Sequence, residues 1–255
     1  MIVGAAAFLP RPISLFSHSV QPFPPMSLPR YALYFTPRPD SDLARLGAAM
    51  LGYDCYTGGA VEQPYLPDIA PGELHEGTAE PRRYGFHGTL KAPFSLVEGR
   101  SLESLKHELR AFAAEWPTLD VGTVSPRRIG RFIALTPDTP SLDLQLFAAE
   151  CVAAFDHFRA PISDKDRQRR ASQNLSPRQS ALLERWGYPY VFDQFRFHMT
   201  LSGSLPEERV GSWLDGLESY VGAQPLVIDG LTLLEQTGPD ARFRVVERYD
   251  LEGKR

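Results

Sequence analysis

The chain has 255 residues, 43% of them hydrophobic and 23% charged, which suits a soluble globular protein with a sizeable core. A formal net charge of −4 excludes the global basic field that grips duplex nucleic acid, so any anionic partner must meet a local patch. No apolar run approaches the roughly 18 residues that span a bilayer, and the two cysteines, Cys55 and Cys151, stand at no metal or redox spacing, as in a cytoplasmic protein that uses them as small apolar fillers.

Residues 1–29 hold six prolines and show neither helical nor strand periodicity. They read as a disordered extension rather than a signal peptide, because no basic segment precedes the apolar stretch and Pro10 and Pro12 interrupt it. Met26 stands just before the first strand, so an over-extended start is the alternative. Residues 30–255 are expected to form one bilobal domain. Tyr31–Thr36 reads as a strand and Ser41 or Asp40 caps a helix to about Leu51. Residues 52–83 look like loop. Tyr84–Lys91 reads as a strand, Ser101–Trp116 as a helix with Leu102, Leu105, Leu109 and Phe112 on one face, and Val121–Ser125 with Arg131–Thr136 as a hairpin. Ser141–Phe158 reads as a second long helix. A basic insertion covers about 159–192, with a short helix after Ser176-Pro177. Phe195–Ser202 is then a strand, Pro206–Tyr220 a helix, and Leu226–Glu235 with Arg242–Tyr249 a closing hairpin.

This order repeats. A histidine-bearing strand, a helix and a hairpin occur at 84–136 and again at 195–249, with Phe86-His87-Gly88-Thr89-Leu90 matching Phe197-His198-Met199-Thr200-Leu201 at four of five positions. The pattern predicts an α+β fold of two βαββ lobes, two antiparallel sheets around a central cleft.

Strand alternation sorts the side chains of each motif. Phe86, Gly88 and Leu90 share one face, and His87, Thr89 and Lys91 the other; Phe197, Met199 and Leu201 share one face, and Arg196, His198 and Thr200 the other. Each strand thus buries an apolar row and presents His, Thr and a cation. A histidine pair can pass protons to and from the oxygens of a phosphodiester, one ring as base and one as acid, because imidazole titrates near neutral pH. Thr89 and Thr200 can donate hydroxyls to non-bridging phosphate oxygens. A lone strand histidine is more often structural; two at equivalent places, each followed by Thr at i+2, favour function. Neither motif has a second histidine or an acid beside the first, so no metal site and no cofactor are expected.

Two His-x-Thr-Leu motifs about a hundred residues apart resemble the two-histidine (2H) phosphoesterase superfamily, which includes bacterial RNA 2′,3′-cyclic phosphodiesterases and 2′-5′ ligase-like proteins. The resemblance implies a bilobal, metal-independent phosphoesterase whose catalytic residues are His87 and His198 and whose phosphate-binding residues are Thr89 and Thr200. The stretches Arg82–Lys91, Leu175–Gln179 and Arg185–Tyr190 look like the branch found as proteins of phosphonate-utilisation operons, which implies a cyclic ribose phosphodiester as substrate. Arg83, Lys91, Arg178, Tyr188 and Arg196 are further candidates for substrate contact, since guanidinium pairs well with phosphate. The expected partner is a small phosphorylated molecule, with an RNA end left open, on a monomer that engages neither membrane nor duplex. The rival reading is a binding protein for such a molecule without turnover.

Overall fold

The structure, a computed structural model, describes Met1 and residues 28–163, 167–168 and 174–253. Most of the extension read as disordered therefore lies outside the described residues, as do Lys165, Arg169 and Arg170 of the basic insertion.

Strand β1 (Arg30–Phe35) leads into α1 (Asp42–Leu51), whose first turn is closed by the Ser41 hydroxyl accepting from the Ala44 N–H and whose end is set by Gly52 at φ 69°. The segment read as loop contains two short helices, α2 (Pro71–Gly77) and α3 (Ala79–Arg82). Helices of seven and four residues carry too few apolar repeats to register as periodicity. Then come β2 (Gly88–Phe94), α4 (Leu102–Glu115) behind the Ser101/Ser104 capping box, β3 (Leu119–Ile129), β4 (Phe132–Pro137) and α5 (Leu142–Ala154). The last is shorter than its sequence suggested, because Asp156–Phe158 turn as 3-10 helix. Helix α6 (Pro177–Trp186) has its own capping box, Ser176/Gln179. Strand β5 is only Met199–Thr200; α7 (Glu207–Val221), β6 (Gln224–Ile228), β7 (Gly230–Gln236) and β8 (Arg244–Asp250) complete the chain.

The α+β class holds. Among the described residues, eight strands join one antiparallel sheet in the order β6-β3-β4-β5-β2-β1-β7-β8. The sheet divides into two four-stranded halves that meet only where β2 pairs with β5, through Gly88 and Met199. The halves are not the two sequence repeats laid side by side. Strand β2 of the first repeat pairs with β1, which continues to β7 and β8, whereas β5 of the second repeat pairs with the first repeat's β4–β3 hairpin. The apolar run through 226–235 also breaks at Asp229, sending β6 to β3 and β7 to β1.

One face of the sheet takes the helices: α4 lies on β7 and β8, α5 on β2 and β3, α7 on β3 and β4. Leu33, Phe35, Leu90, Leu135, Met199, Leu201 and Leu233 fill this interface together with Phe147 and Trp213, all at most 2% exposed. Each such side chain contributes about 1.5–3 kcal/mol by leaving water. A smaller cluster, Tyr34, Tyr53, Cys55, Leu234 and Phe243, covers part of the other face. Among the described residues no helix is long and apolar enough to cross a membrane.

Candidate active site

The two motifs meet at the joint between the halves. Because Gly88 pairs antiparallel with Met199, extending the register one residue either way sets His87 against Thr200 and Thr89 against His198. Residues flanking that pair point to the face opposite Gly88 and Met199, so all four side chains share one face, at the separation of cross-strand neighbours. The same pairing explains the one position at which the motifs differ. The ring of Phe197 lies over Gly88, where a Cβ would come within 2.4 Å of it, so Gly88 leaves room that the Met199 position does not need to.

Both histidines precede their strands instead of lying within them, and each is held by its own backbone. His87 donates from Nδ1 to the Gly85 carbonyl at 2.9 Å, and His198 donates from Nδ1 to the Arg196 carbonyl at 2.8 Å. This i−2 bond fixes the tautomer in each case: Nδ1 carries the proton and Nε2 is left as the acceptor. The Thr89 hydroxyl donates to that Nε2 of His87 at 3.2 Å. Gly85 can deliver its carbonyl because it sits at φ 76°, with Cys55 so close that a Cβ would fall 2.6 Å from the Cys55 Cβ. The adjacent Phe86 anchors the turn by filling the space above Gly47, where a Cβ would come within 2.0 Å of the ring.

The rings sit in unequal surroundings. Tyr34 stacks on His87 at 3.8 Å between centroids, with Tyr84 beyond at 6.1 Å, whereas His198 meets Phe132 obliquely at 5.7 Å. Burial pushes His87 down to about 4, against the pull of its bond to Gly85, and the charge of His198 lowers it further. Burial also lowers His198, opposed by its bond to Arg196. Both rings therefore favour the neutral form near pH 7, and at lower pH the charge His198 acquires bears on His87.

The remaining candidates fall in different places. Lys91 is a correction: it does not face the histidines. The pairing of β2 with β1 slips between Thr89 and Lys91, which breaks the alternation that put Lys91 on the His87 row. Its ammonium is buried instead, donating to the Val152 carbonyl at 3.0 Å and paired with Asp156 at 3.3 Å, which Arg159 and Arg185 also hold. Arg83 follows α3 in a turn, so strand alternation does not apply to it; its guanidinium is exposed and donates to the Pro239 carbonyl. Arg178 forks onto Asp193 across the insertion. Tyr188 packs on Tyr190 beside Trp186. Arg196 is exposed, and it is its carbonyl that serves the site.

Sequence reasoning missed Tyr34 and the two carbonyls. Tyr34 stands opposite Thr89 in the β1–β2 ladder, which only strand pairing reveals, and a carbonyl has no residue identity to read. Among the described residues no three His, Cys, Asp or Glu side chains group as a metal site would. Two cavities of about 310 and 630 Å³ flank the half of the sheet that holds β2, β1, β7 and β8, and neither histidine lines them, although Phe86, next to His87, lines the smaller.

Residues 89–244 match the family model described as "Protein of unknown function (DUF1045)". Over 235 residues the chain is 39% identical to a Janthinobacterium protein named ribose 1,5-bisphosphate phosphokinase PhnN, covering 89% of this chain and 52% of that one. A protein of the same name from Laribacter hongkongensis is 34% identical over 217 residues, covering 85% and 50%. The chain thus spans about half the length of these curated relatives. A Thermus thermophilus crystal structure aligns with 89% of this chain and all of its own at a TM-score of 0.42 and 14% identity, and Escherichia coli LigT with 88% and 99% at 0.35 and 17%.

Proposed function

The chain belongs to the DUF1045 family, and on that premise we propose that it is a phosphoesterase that opens a cyclic ribose phosphodiester with His87 as base and His198 as acid. One observation carries the reading: two His-x-Thr pairs face each other across the Gly88–Met199 joint, each imidazole held at Nδ1 by an i−2 carbonyl so that Nε2 is presented. A water attacking phosphorus loses its proton to one Nε2 while the departing ribose oxygen receives one from the other. The rings must then differ in protonation. A bound phosphodiester anion raises both, and His87, stacked beneath Tyr34 and the more depressed, stays neutral longer. Thr89 and Thr200 donate to the non-bridging oxygens as charge gathers there.

The kinase named in the relatives is the second reading, and the chain lacks the G-x-x-x-x-G-K-[ST] loop with which many kinases cradle phosphates. We place that activity in the half of the relatives outside the match; the ribose bisphosphate in their name supports a ribose phosphate as substrate here.

The test is hydrolysis of 2′,3′-cyclic nucleotides and ribose cyclic phosphates in EDTA, followed by phosphorus NMR. His87→Ala and His198→Ala should each lower turnover by at least about 10², and Thr89→Val and Thr200→Val by roughly 10–10³. Binding of these compounds with no turnover would leave a sensor in place of an enzyme, and turnover that survives either histidine variant would remove that residue's role.

A further inference from the structure

A groove of about 630 Å³ opens at the β7–β8 end of the sheet, lined by Tyr53, Gly58, Glu235, Thr237, Arg242 and Arg244. We propose that this groove binds a second phosphoryl group of the substrate, distinct from the one the histidines attack; the inference rests on the phosphoesterase reading and extends it.

Two features suit Arg242 and Arg244 to an anion. The first, which Arg83 and Arg196 share among the described residues, is the lack of a carboxylate partner. Arg38, Arg110, Arg159, Arg178, Arg209 and Arg248 each hold a carboxylate. Arg242 and Arg244 hold none among the described residues, although both are exposed in a chain of net charge −4. The nearest acid in the groove, Glu235, accepts instead from the Tyr31 hydroxyl at 3.0 Å. The second is their fixed pose. The Arg242 guanidinium lies over the Tyr53 ring at 4.8 Å, and Tyr53 is itself anchored by its hydroxyl on the Phe243 carbonyl. Arg244 donates to the Thr57 carbonyl at 3.0 Å and lies against Gly58, where a Cβ would come within 2.5 Å of its Nε. Planar guanidiniums held in place with donors to spare are well suited to the oxygens of a phosphate.

The groove also adjoins the histidine pocket. Phe243, the residue between the two arginines, stacks on Tyr84 at 5.4 Å, and Tyr84 reaches His87 at 6.1 Å. The Phe243 N–H donates to the Arg83 carbonyl, and the Arg83 guanidinium donates to Pro239 on the same β7–β8 turn, adding a third cation to this rim. One aromatic layer thus lies between the reacting imidazole and a cationic shelf, and a substrate that fills both must extend past that layer with another phosphate. That phosphate is either a monoester on the same ribose or the diester of the preceding nucleotide of an RNA end.

Three probes separate these sources: a 2′,3′-cyclic nucleoside monophosphate, the same compound with a 5′-phosphate, and a dinucleotide ending in the cyclic phosphate. The full chain should favour one of the two phosphorylated probes over the plain one by roughly 10–100-fold in kcat/KM, and the Arg242→Gln/Arg244→Gln variant should bring that ratio close to one. The probe that is favoured names the source. Equal kcat/KM for all three, or a preference the variant retains, overturns the proposal. Inorganic pyrophosphate titrated into the His87→Ala/His198→Ala variant and followed at the arginine Nε–H resonances gives a readout independent of turnover. Saturable shifts at Arg242 and Arg244 support the groove even if no cyclic phosphodiester is ever hydrolysed, whereas their absence overturns it even if hydrolysis is found.

Discussion

The depressed titration of His87 is a statement about stability as well as chemistry. Its ring titrates near 6.5 in an unfolded chain and is pushed down to about 4 in the fold. Between those values the unfolded chain binds a proton that the folded one refuses, so folding stability is whole above about pH 6.5 and erodes as pH falls toward 4. At pH 5 the linkage amounts to about 2 kcal/mol, and below pH 4 it tends to a ceiling of about 3 kcal/mol, since the ring keeps some access to water. In a chain of this size about 2 kcal/mol moves Tm by roughly 4–8 °C. The assay compares thermal melts of the wild type and His87→Gln at pH 7.5, 6 and 5. Glutamine loses the stacking on Tyr34 at every pH, a constant offset, but has no proton to gain, so the variant should recover relative to wild type as pH falls. Imidazole titration by NMR adds the coupling: His198→Gln should raise the apparent pKa of His87, because the charge of His198 is one of the causes that lower it. A difference between wild type and variant that stays flat from pH 7.5 to 5, or a His87 titration indifferent to His198, would refute both the burial and the shared pocket.

Two further expectations follow from the surroundings of the pair. Lys91→Met should leave kcat/KM within about twofold while its burial against Val152 and Asp156 makes the change felt in stability, with an expected loss of about 1–3 kcal/mol in urea melts; a large drop in turnover at unchanged stability would restore Lys91 to the site. Gly85→Ala should cost about 1–3 kcal/mol from the left-handed φ and the contact with Cys55, and should lower kcat more than it raises KM by moving the carbonyl that holds His87, which steady-state kinetics on folded variant would read.

Much of the site is legible in the sequence because it follows from local geometry. His and Thr at i and i+2 share a face of any extended segment, whether or not it forms a ladder, so the His87/Thr89 and His198/Thr200 rows survive even though β5 contains only two residues. What fails is whatever depends on pairing. The slip in the β1–β2 register that buries Lys91 is a property of two strands, not of Gly88–Phe94 alone. The interleaving of the repeats is likewise non-local: nothing in the sequence of β3–β4 states that it will lie against β5 instead of β2. The short helices α2 and α3 are held by contacts beyond their own length, such as Arg82 donating to the Leu51 and His75 carbonyls.

The interleaving bears on the chemistry. Had each repeat closed on itself, the two motifs would occupy separate sheets and their histidines equivalent environments. Crossing the strands instead makes β2 and β5 neighbours, so the motifs share one joint while the strands beyond them differ: β1 brings Tyr34 onto His87, and Phe132 at the start of β4 meets His198 only obliquely. On the proposed reading the approximate symmetry brings two imidazoles to one phosphorus, and the departures from it set their proton affinities apart. Division of labour between a base and an acid gains from that second property, because unequal affinities widen the pH range in which one ring is protonated and the other is not. On this argument Tyr34→Leu, which keeps bulk but removes the stacked ring, should draw the two titrations together and narrow and lower the pH optimum rather than abolish activity.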